Sequence, residues 1–304
     1  MEKNLKNSHK NEISKKGNIL LNIVFLIWSF LCIYPFLLVL GISFSSQSSI
    51  NLHGYSLIPS EVSAVAYNYI LRKSSMIIRA YIITICVTII GTILTVIITS
   101  LYAYPLSRNS FKYRYIFSFL IFFTMIFRGG MIANYMVYVQ MLHLKNNYIV
   151  YVLPFLISGW NVFLMRTFIT SSIPVDLIDA AKIDGAGEWL TYIRIVMPLC
   201  KPGLATIGLF TSITLWNDWY TPSLYIPDLD KENLQYLLYS MIANIQFLKN
   251  NIGKVNNASQ LISNMPAESI RMAMCIITIA PIVFAYPFFQ KYFVKGLTVG
   301  AVKG

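Results

Sequence analysis

The stretch that decides the fold is ILLNIVFLIWSFLCIYPFLLVLGIS, from Ile19 to Ser43, which carries no charged residue. About 20 apolar residues in a helix are enough to cross the roughly 30 Å hydrocarbon core of a bilayer. Lys15 and Lys16 precede the run, as basic residues precede the apolar segment of a signal peptide. The run is longer than such a segment, and no A-x-A-like cleavage site follows it. We therefore predict a retained membrane-spanning helix.

The composition of the whole chain supports this interpretation. Of its 304 residues 56% are hydrophobic and only 12% are charged, whereas a soluble domain carries about 25% charged residues. The apolar runs are continuous instead of alternating, which favours helices over the strands of a membrane barrel. The sequence predicts an all-α membrane protein.

Five more apolar runs follow the first and give a prediction of six transmembrane helices. Their approximate bounds are 80–104, 115–141, 148–169, 203–220 and 272–289. The third run is interrupted by Arg128, Gly129 and Gly130, so the outer end of this predicted span is the least well defined of the six. For Arg128 we favour a side chain that extends to the headgroups over one that contacts a substrate.

The basic residues predict how the chain lies in the membrane. The net charge is +12, and lysines or arginines crowd the first 18 residues, the connection 108–114 and the tail 291–304. Because cytoplasmic loops are enriched in lysine and arginine, both termini are predicted to be cytoplasmic. Segments 45–79 and 223–269 then face outward. We attribute the positive charge to cytoplasmic loops that face anionic lipid headgroups. Nucleic acid is not expected as a partner.

Residues 174–198, PVDLIDAAKIDGAGEWLTYIRIVMP, form the most informative loop. They are too polar to span a membrane and too periodic to be a linker. Leu177, Ile178 and Ala181 share one face of a predicted helix, and Gly185 can supply the left-handed turn that ends it. A second helix is predicted to carry one apolar face and to end at Pro198; that face comprises Trp189, Tyr192, Ile193 and Val196. We call this helix-turn-helix, residues 174–198, the elbow.

The elbow resembles the EAA loop of permease subunits in ATP-binding-cassette importers. The residues that match at the family's spacing are Asp179, Ala180, Ala181, Gly185, Ile195, Met197 and Pro198. Asp replaces Glu at 179 and Met replaces Leu at 197, which preserves charge in one case and apolar character in the other. Other runs, including Trp216 to Trp219 and the C-terminal tail, are similar to the carbohydrate-uptake branch, most of all to the second permease of oligosaccharide systems.

This resemblance implies a cell-membrane permease that forms half of a translocation pore for a carbohydrate or oligosaccharide. Its implied partners are a second homologous permease, two ATPase subunits that contact the elbow, an extracellular solute-binding protein and the lipid bilayer. The implied organisation is a basic tail (1–18), a six-span permease domain (19–290) and a C-terminal cytoplasmic tail (291–304).

Catalytic motifs are missing from the sequence. It contains no GxxxxGK[ST] loop for phosphates, and its three histidines and four cysteines show no metal-ligand spacing. We therefore expect no enzyme activity, no metal and no cofactor in this chain. ATP is expected to bind to the partner subunits.

Trp216, Asn217, Asp218 and Trp219 form a second candidate site at the end of the fifth run. Indole faces can stack on sugar rings while amide and carboxylate groups bind hydroxyls, so these residues could line a substrate path. Tryptophans are equally typical of the interfacial belt, and both interpretations stay open.

Two other classes of function were weighed. A self-sufficient secondary carrier or channel would require ion-coupling carboxylates inside the spans or paired broken helices, and we find no repeated half. A scaffold that transports nothing would leave the spacing of the elbow unexplained.

Overall fold

The computed structural model describes residues 14–72, 74–250 and 267–301. These residues are helical apart from their connections, and the β contact among them is an isolated bridge between Ser45 and Val62. The fold is therefore all-α, as predicted. Much of the basic N-terminal tail and residues 251–266 of the predicted outward segment lie outside the described residues.

Fourteen α-helices are described in these ranges. We number them α1 Lys15–Ser43, α2 Gln47–His53, α3 Val65–Arg72, α4 Ser74–Ser107, α5 Arg114–Ile126, α6 Gly130–Met136, α7 Gly159–Ser172, α8 Val175–Ile183, α9 Glu188–Thr191, α10 Met197–Leu199, α11 Lys201–Trp216, α12 Tyr220–Tyr225, α13 Leu234–Asn250 and α14 Ala267–Ala301. Short 3-10 turns occupy Tyr148–Tyr151, Leu153–Phe155 and Leu229–Lys231, and π-helical turns occupy Val137–Met141 and Tyr192–Val196.

One compact unit contains the described residues up to Arg72 together with those between 248 and 276. Its first helix begins at Lys15, where the Ser14 hydroxyl accepts the Gly17 N–H at 3.2 Å. Within the same unit, the Ser269 hydroxyl donates to the Ser45 carbonyl at 2.7 Å. This bond joins the first turn of α14 to the connection between α1 and α2.

The second compact unit contains residues from 74 to 247 and the rest of α14. Its centre is α4, which packs against α7 and α11. A Cβ at Gly91 would lie 2.6 Å from the Leu215 Cδ1 atom, so a larger residue there would require the Leu215 side chain to shift where α4 meets α11. Near the C-terminal end of α4 a buried apolar cluster joins α4, α7, α8, the 192–196 turn and α11; its members include Leu106, Met165, Ile178, Val196 and Ile207.

Length and composition identify three helices of the described residues as candidate membrane spans: α1, residues 75–107 of α4 and residues 267–284 of α14. Three further candidates are bent pairs of shorter helices. The bends are 115° between α5 and the 130–141 helix, 52° between the 148–155 turns and α7, and 76° between the 188–199 segment and α11. The structure therefore has three such spans, or up to six if each bent pair is one span.

The bends occur where local residues interrupt the helical hydrogen bonds. Gly130 has φ +79°, a conformation that side chains disfavour, and the neighbouring Arg128 is exposed at the same break. The fifth run was predicted to continue to Tyr220, and this was wrong because α11 ends at Trp216. The chain breaks there because Asp218 caps the next helix, α12.

Candidate functional site

The first helix of the elbow is α8, Val175–Ile183, which follows Pro174 directly. Proline suits this position because it has no N–H to leave unpaired. Ile178 and Ala181 are buried in the core beneath the elbow, whereas Leu177, predicted on the same face, is 41% exposed. α8 is thus anchored by a narrower apolar stripe than the sequence predicted.

The turn after α8 depends on Gly185. Its φ is +79°, the Gly185 N–H donates to the Lys182 carbonyl at 3.0 Å, and the Ala186 N–H donates to the Ala181 carbonyl at 2.9 Å. These two bonds form a Schellman motif, in which the left-handed residue is normally glycine. No atom lies within 4 Å of a Cβ placed on Gly185, so a side chain there would strain only the backbone.

The second half of the elbow ends at Leu199, one residue beyond the predicted end at Pro198. Helix α9 passes through the π-helical turn Tyr192–Val196 into α10, Met197–Leu199. The break before α11 falls at Cys200, which has φ −90° and ψ 13°. Pro198 has no N–H to continue the helical hydrogen bonds, and the helix ends one residue later, at Leu199.

The predicted single apolar face of this second half is divided in the structure. Tyr192 and Val196 are buried, but Trp189 is 68% exposed and Ile193 is 59% exposed. Ile183, at the end of α8, is 87% exposed. The elbow therefore presents large apolar side chains on its surface while a separate pair holds it to the core.

Polar side chains of α4 bind the elbow directly. The Tyr104 hydroxyl donates to Glu188 Oε2 at 2.5 Å, and the Ser100 and Tyr192 hydroxyls lie 2.7 Å apart. The ammonium of Lys182 lies 3.6 Å from the other Glu188 oxygen. The hydrogen bond from Tyr104, with the positive charges of Arg108 and Lys182, lowers the pKa of Glu188, so this carboxylate is ionised at neutral pH.

Sequence reasoning missed Ser100 and Tyr104. The available signal was their spacing, because polar residues four apart lie on the same face of a helix that is otherwise largely apolar. Their partners Tyr192 and Glu188 are distant along the chain, and a single sequence does not indicate such a pairing.

The residues that carry the motif differ in exposure. Asp179, Ala180, Gly185 and Pro198 are exposed, Ile195 and Met197 are half-buried, and Ala181 is buried. Asp179 and Lys182 line a cavity of about 340 Å³ together with Arg108. Of the exposed members, Asp179 and Ala180 lie on α8, Gly185 lies in the turn after it, and Pro198 lies in α10.

The four residues Trp216 to Trp219 point in different directions. The Trp216 indole is buried and donates to the Thr278 carbonyl at 3.2 Å. Trp219 is 42% exposed and stacks on Tyr239 with ring centroids 4.5 Å apart. The exposed Asn217 accepts a hydrogen bond from Gln235 at 3.2 Å. Their role in a substrate path stays a prediction.

Asp218 has a clear local role in the structure. Its Oδ1 accepts the N–H groups of Tyr220 at 3.2 Å and Thr221 at 3.0 Å, which caps α12. Asn233 donates to the Asp218 carbonyl at 2.5 Å. The Oδ2 atom is buried and has no hydrogen-bond partner among the described residues.

Residues 14–72, 74–250 and 267–301 contain no candidate metal site. No three His, Cys, Asp or Glu side chains there are grouped so that they could hold a metal ion.

Comparison with known proteins identifies the class. Residues 96–299 match the family described as "binding-protein-dependent transport system inner membrane component". The chain is 34% identical over 279 residues to the polygalacturonan/rhamnogalacturonan transport system permease protein YtcP of Bacillus subtilis (strain 168), which covers 92% of this chain and 95% of that protein. The arabinooligosaccharides transport system permease protein AraQ of the same organism is 29% identical over 290 residues, 94% of this chain and 96% of that protein.

A solved structure agrees with these relatives. A chain of a bacterial ABC transporter involved in the import of the acidic polysaccharide alginate matches with a TM-score of 0.78 and 29% identity, covering 93% of this chain and all of that one. The protein belongs to the family of inner-membrane components of binding-protein-dependent transport systems. The resemblance to ABC-importer permeases that the elbow motif indicated is confirmed.

Proposed function

We propose that this chain forms half of the translocation pore of an ATP-driven importer and pairs with a second, homologous permease. The observation that supports a mechanical link is the elbow. It exposes Ile183 and Trp189 to a partner while Tyr104 and Ser100 fasten its second half to α4.

In this proposal each of the two permeases has one elbow, and each elbow docks into one of two ATPase subunits. An amphipathic helix that projects from a protein is suited to lie in a groove of its partner. The site residues are Asp179, Ala180, Ala181, Gly185, Ile195, Met197 and Pro198. Movement of the ATPase would reach α4 through the Tyr104–Glu188 bond and through the buried contacts of Tyr192 and Val196.

The remaining features of the proposal concern topology and chemistry. The six spans predicted from the sequence, with residues 174–198 between the fourth and fifth of them, would put both termini in the cytoplasm and direct segments 45–79 and 223–269 to an extracellular solute-binding protein. This chain would hold no cofactor and hydrolyse no ATP, since its partners would bind the nucleotide.

The proposed substrate class is a carbohydrate or oligosaccharide. It rests on the names of relatives that transport polygalacturonan, arabinooligosaccharides and alginate. Asn217, Asp218, Trp216 and Trp219 are candidate contacts, although Asp218 and Trp216 also have structural partners. The second permease could supply most of the contacts with the sugar.

Gentle purification of the tagged chain from its native membranes, followed by reconstitution, tests the proposal. We expect a second permease and an ATPase to co-purify, and uptake into proteoliposomes to require all of them together with ATP. Uptake by vesicles that contain this chain alone would contradict the proposal and would favour a self-sufficient carrier.

A further inference from the structure

Two adjoining cavities lie where α4 meets the segment between α4 and α5. One has a volume of about 400 Å³ and includes Arg108, Ser110, Glu188 and Trp189 in its wall. The other, of about 350 Å³, includes Ile98, Leu106 and Phe117. Both are also lined by Leu101, Pro105 and Phe111. We call the two cavities together the α4 groove; it has a polar end and an apolar end.

The cation in the wall of the polar end is Arg108, which begins a basic segment of the chain. The segment from Arg108 to Arg114 carries Arg108, Lys112 and Arg114 and no acidic residue. The Nε atom of Arg108 is buried and has no hydrogen-bond partner among the described residues. A buried donor without a partner costs free energy, and an anionic ligand would remove that cost.

Glu188 is the one carboxylate in the wall of the α4 groove, and its charge is already compensated. Its Oε2 accepts from Tyr104 and its Oε1 lies 3.6 Å from Lys182. Arg108, in contrast, forms no ion pair at 4.0 Å or less with a described residue. Although the charge of Arg108 also acts on Glu188, the Arg108 Nε–H has no hydrogen-bond partner among the described residues and is therefore available to a ligand.

We propose that the α4 groove binds one anionic phospholipid, with the phosphate at Arg108 and Ser110 and an acyl chain along Leu101, Pro105 and Phe117. Free phosphate would satisfy Arg108 but would leave the apolar end unfilled. A zwitterionic lipid would bring its ammonium group towards Arg108 and the basic segment that follows it in the chain. Basic pockets beside membrane helices are a recurring form of anionic lipid site.

Trp189 provides a direct signal because it lines the polar end. The purified full-length chain in detergent would be titrated with phosphatidylglycerol that carries bromine on its acyl chains, and quenching of tryptophan fluorescence would be recorded. We expect saturable quenching that is largely lost in Trp189→Phe. The assay requires neither an ATPase nor transport, so its result does not depend on the proposed function of the chain.

Substitutions in the α4 groove test the specificity. Arg108→Gln should raise the half-saturating lipid concentration about tenfold, the effect of losing one charged hydrogen bond. Lys201→Gln is the matched control, because Lys201 is an exposed cation at the start of α11 outside both cavities. Leu101→Phe narrows the apolar end with all charges retained, and should also weaken binding.

Three results would overturn the proposal. The first is equal half-saturation by brominated phosphatidylcholine, which would indicate ordinary contact with surrounding lipid. The second is equal binding by Arg108→Gln and Lys201→Gln with no effect of Leu101→Phe. The third is complete displacement by inorganic phosphate, which would show that the acyl chain contributes nothing.

Discussion

The elbow and the region from Trp216 to Leu234 use similar residues in opposite ways. Both contain tryptophan beside a carboxylate, and both contact α4. In the elbow, Trp189 is 68% exposed and Ile183 is 87% exposed, whereas Trp216 in the other region is only 7% exposed. The elbow leaves Ile183 and Trp189 uncovered, whereas the 216–234 region buries Trp216 and leaves Trp219 only partly exposed, at 42%.

Their hydrogen bonds differ in the same way. In the 216–234 region Asp218 caps α12, Asn233 donates to the Asp218 carbonyl, and the Leu234 N–H donates to the Thr84 hydroxyl at 2.9 Å. These bonds stabilise the chain itself. The elbow is held to α4 mainly by two hydroxyls and a buried apolar strip, and its outer side is left for another molecule.

The comparison shows that residue type alone does not distinguish a site from a structural element. Exposed apolar residues on a well-anchored helix indicate a partner surface. Buried polar residues with local hydrogen bonds indicate a structural role. Four predictions test this distinction, in order of decreasing effect on the free energy of unfolding.

The largest effect is expected for the two isoleucines of α8. Ile178 is 4% exposed and Ile183 is 87% exposed. Ile178→Ala should lower the free energy of unfolding by about 2–5 kcal/mol because it leaves a cavity, and Ile183→Ala should change it by less than about 0.5 kcal/mol. Denaturant unfolding of the purified chain in detergent measures both values.

In a binding assay with the ATPase, the order of the two effects should be reversed, and Ile183→Ala should have the larger one. Ile183→Ala should reduce the amount of ATPase that co-purifies, although the chain is as stable as the wild type. Equal stability losses from the two substitutions would mean that the elbow does not have the two faces described.

The second prediction concerns the bond between α4 and the elbow. Tyr104→Phe should cost about 1.5–3 kcal/mol because its hydroxyl donates to a charged group. Tyr102→Phe is the control on the same helix, since Tyr102 donates to the Phe117 carbonyl at 3.3 Å, and should cost less. Hydrogen exchange of residues 186–191 should accelerate only in Tyr104→Phe.

A double-mutant cycle separates this bond from other effects of the substitution. Tyr104→Phe combined with Glu188→Gln should be less destabilising than the sum of the single changes. Strict additivity would show that the two side chains do not interact.

The third prediction addresses the helix caps of the 216–234 region. Asp218 caps α12, and Asp228 accepts the Asp230 N–H at 3.0 Å in a 3-10 turn. Asp218→Ala should cost about 2 kcal/mol, at the upper end for a lost cap because its acceptor is buried, and Asp228→Ala should cost less. The midpoints of heat unfolding in detergent rank the two variants.

Asp218→Asn separates the structural role from a role in transport. It keeps an oxygen to cap α12 and should therefore fold normally. Normal uptake by this variant would argue against a substrate contact through the carboxylate, and loss of uptake with normal folding would support one.

The smallest effect on stability is expected at the glycines of the turn. Gly185 has φ +79° and Gly187 has φ −70°, and a Cβ would meet no atom within 4 Å at either position. Gly185→Ala should therefore cost about 1 kcal/mol through the backbone alone, and Gly187→Ala should cost almost nothing. Equal unfolding midpoints for the two variants would contradict the assigned turn.

Local sequence signals predicted part of the elbow well. Gly185 was predicted as the left-handed turn, and Ile178 and Ala181 as members of one apolar helix face, because helical spacing and glycine conformation are properties of neighbouring residues. The predicted stop at Pro198 lies one residue before the observed end at Leu199, because a proline that cannot donate an N–H is also a local signal.

Other features depend on distant residues and could not be predicted. The Tyr104–Glu188 bond joins residues that are far apart in the chain. Tyr192 is buried and Trp189 is exposed because α4 and α7 cover the first side chain and not the second. The bends in the third, fourth and fifth apolar runs could not be predicted either, because the hydrophobicity of a run does not show where the helix changes direction.

Cross-linking from the elbow to the ATPase tests the central claim most directly. Cysteine would be placed at Ile183 or, as a control, at Trp219, in a chain whose four native cysteines are replaced by alanine and which is assembled with its partners. The account predicts cross-links to the ATPase from position 183 that change in yield with bound nucleotide, and none from position 219. Cross-links from 219 with none from 183 would contradict it.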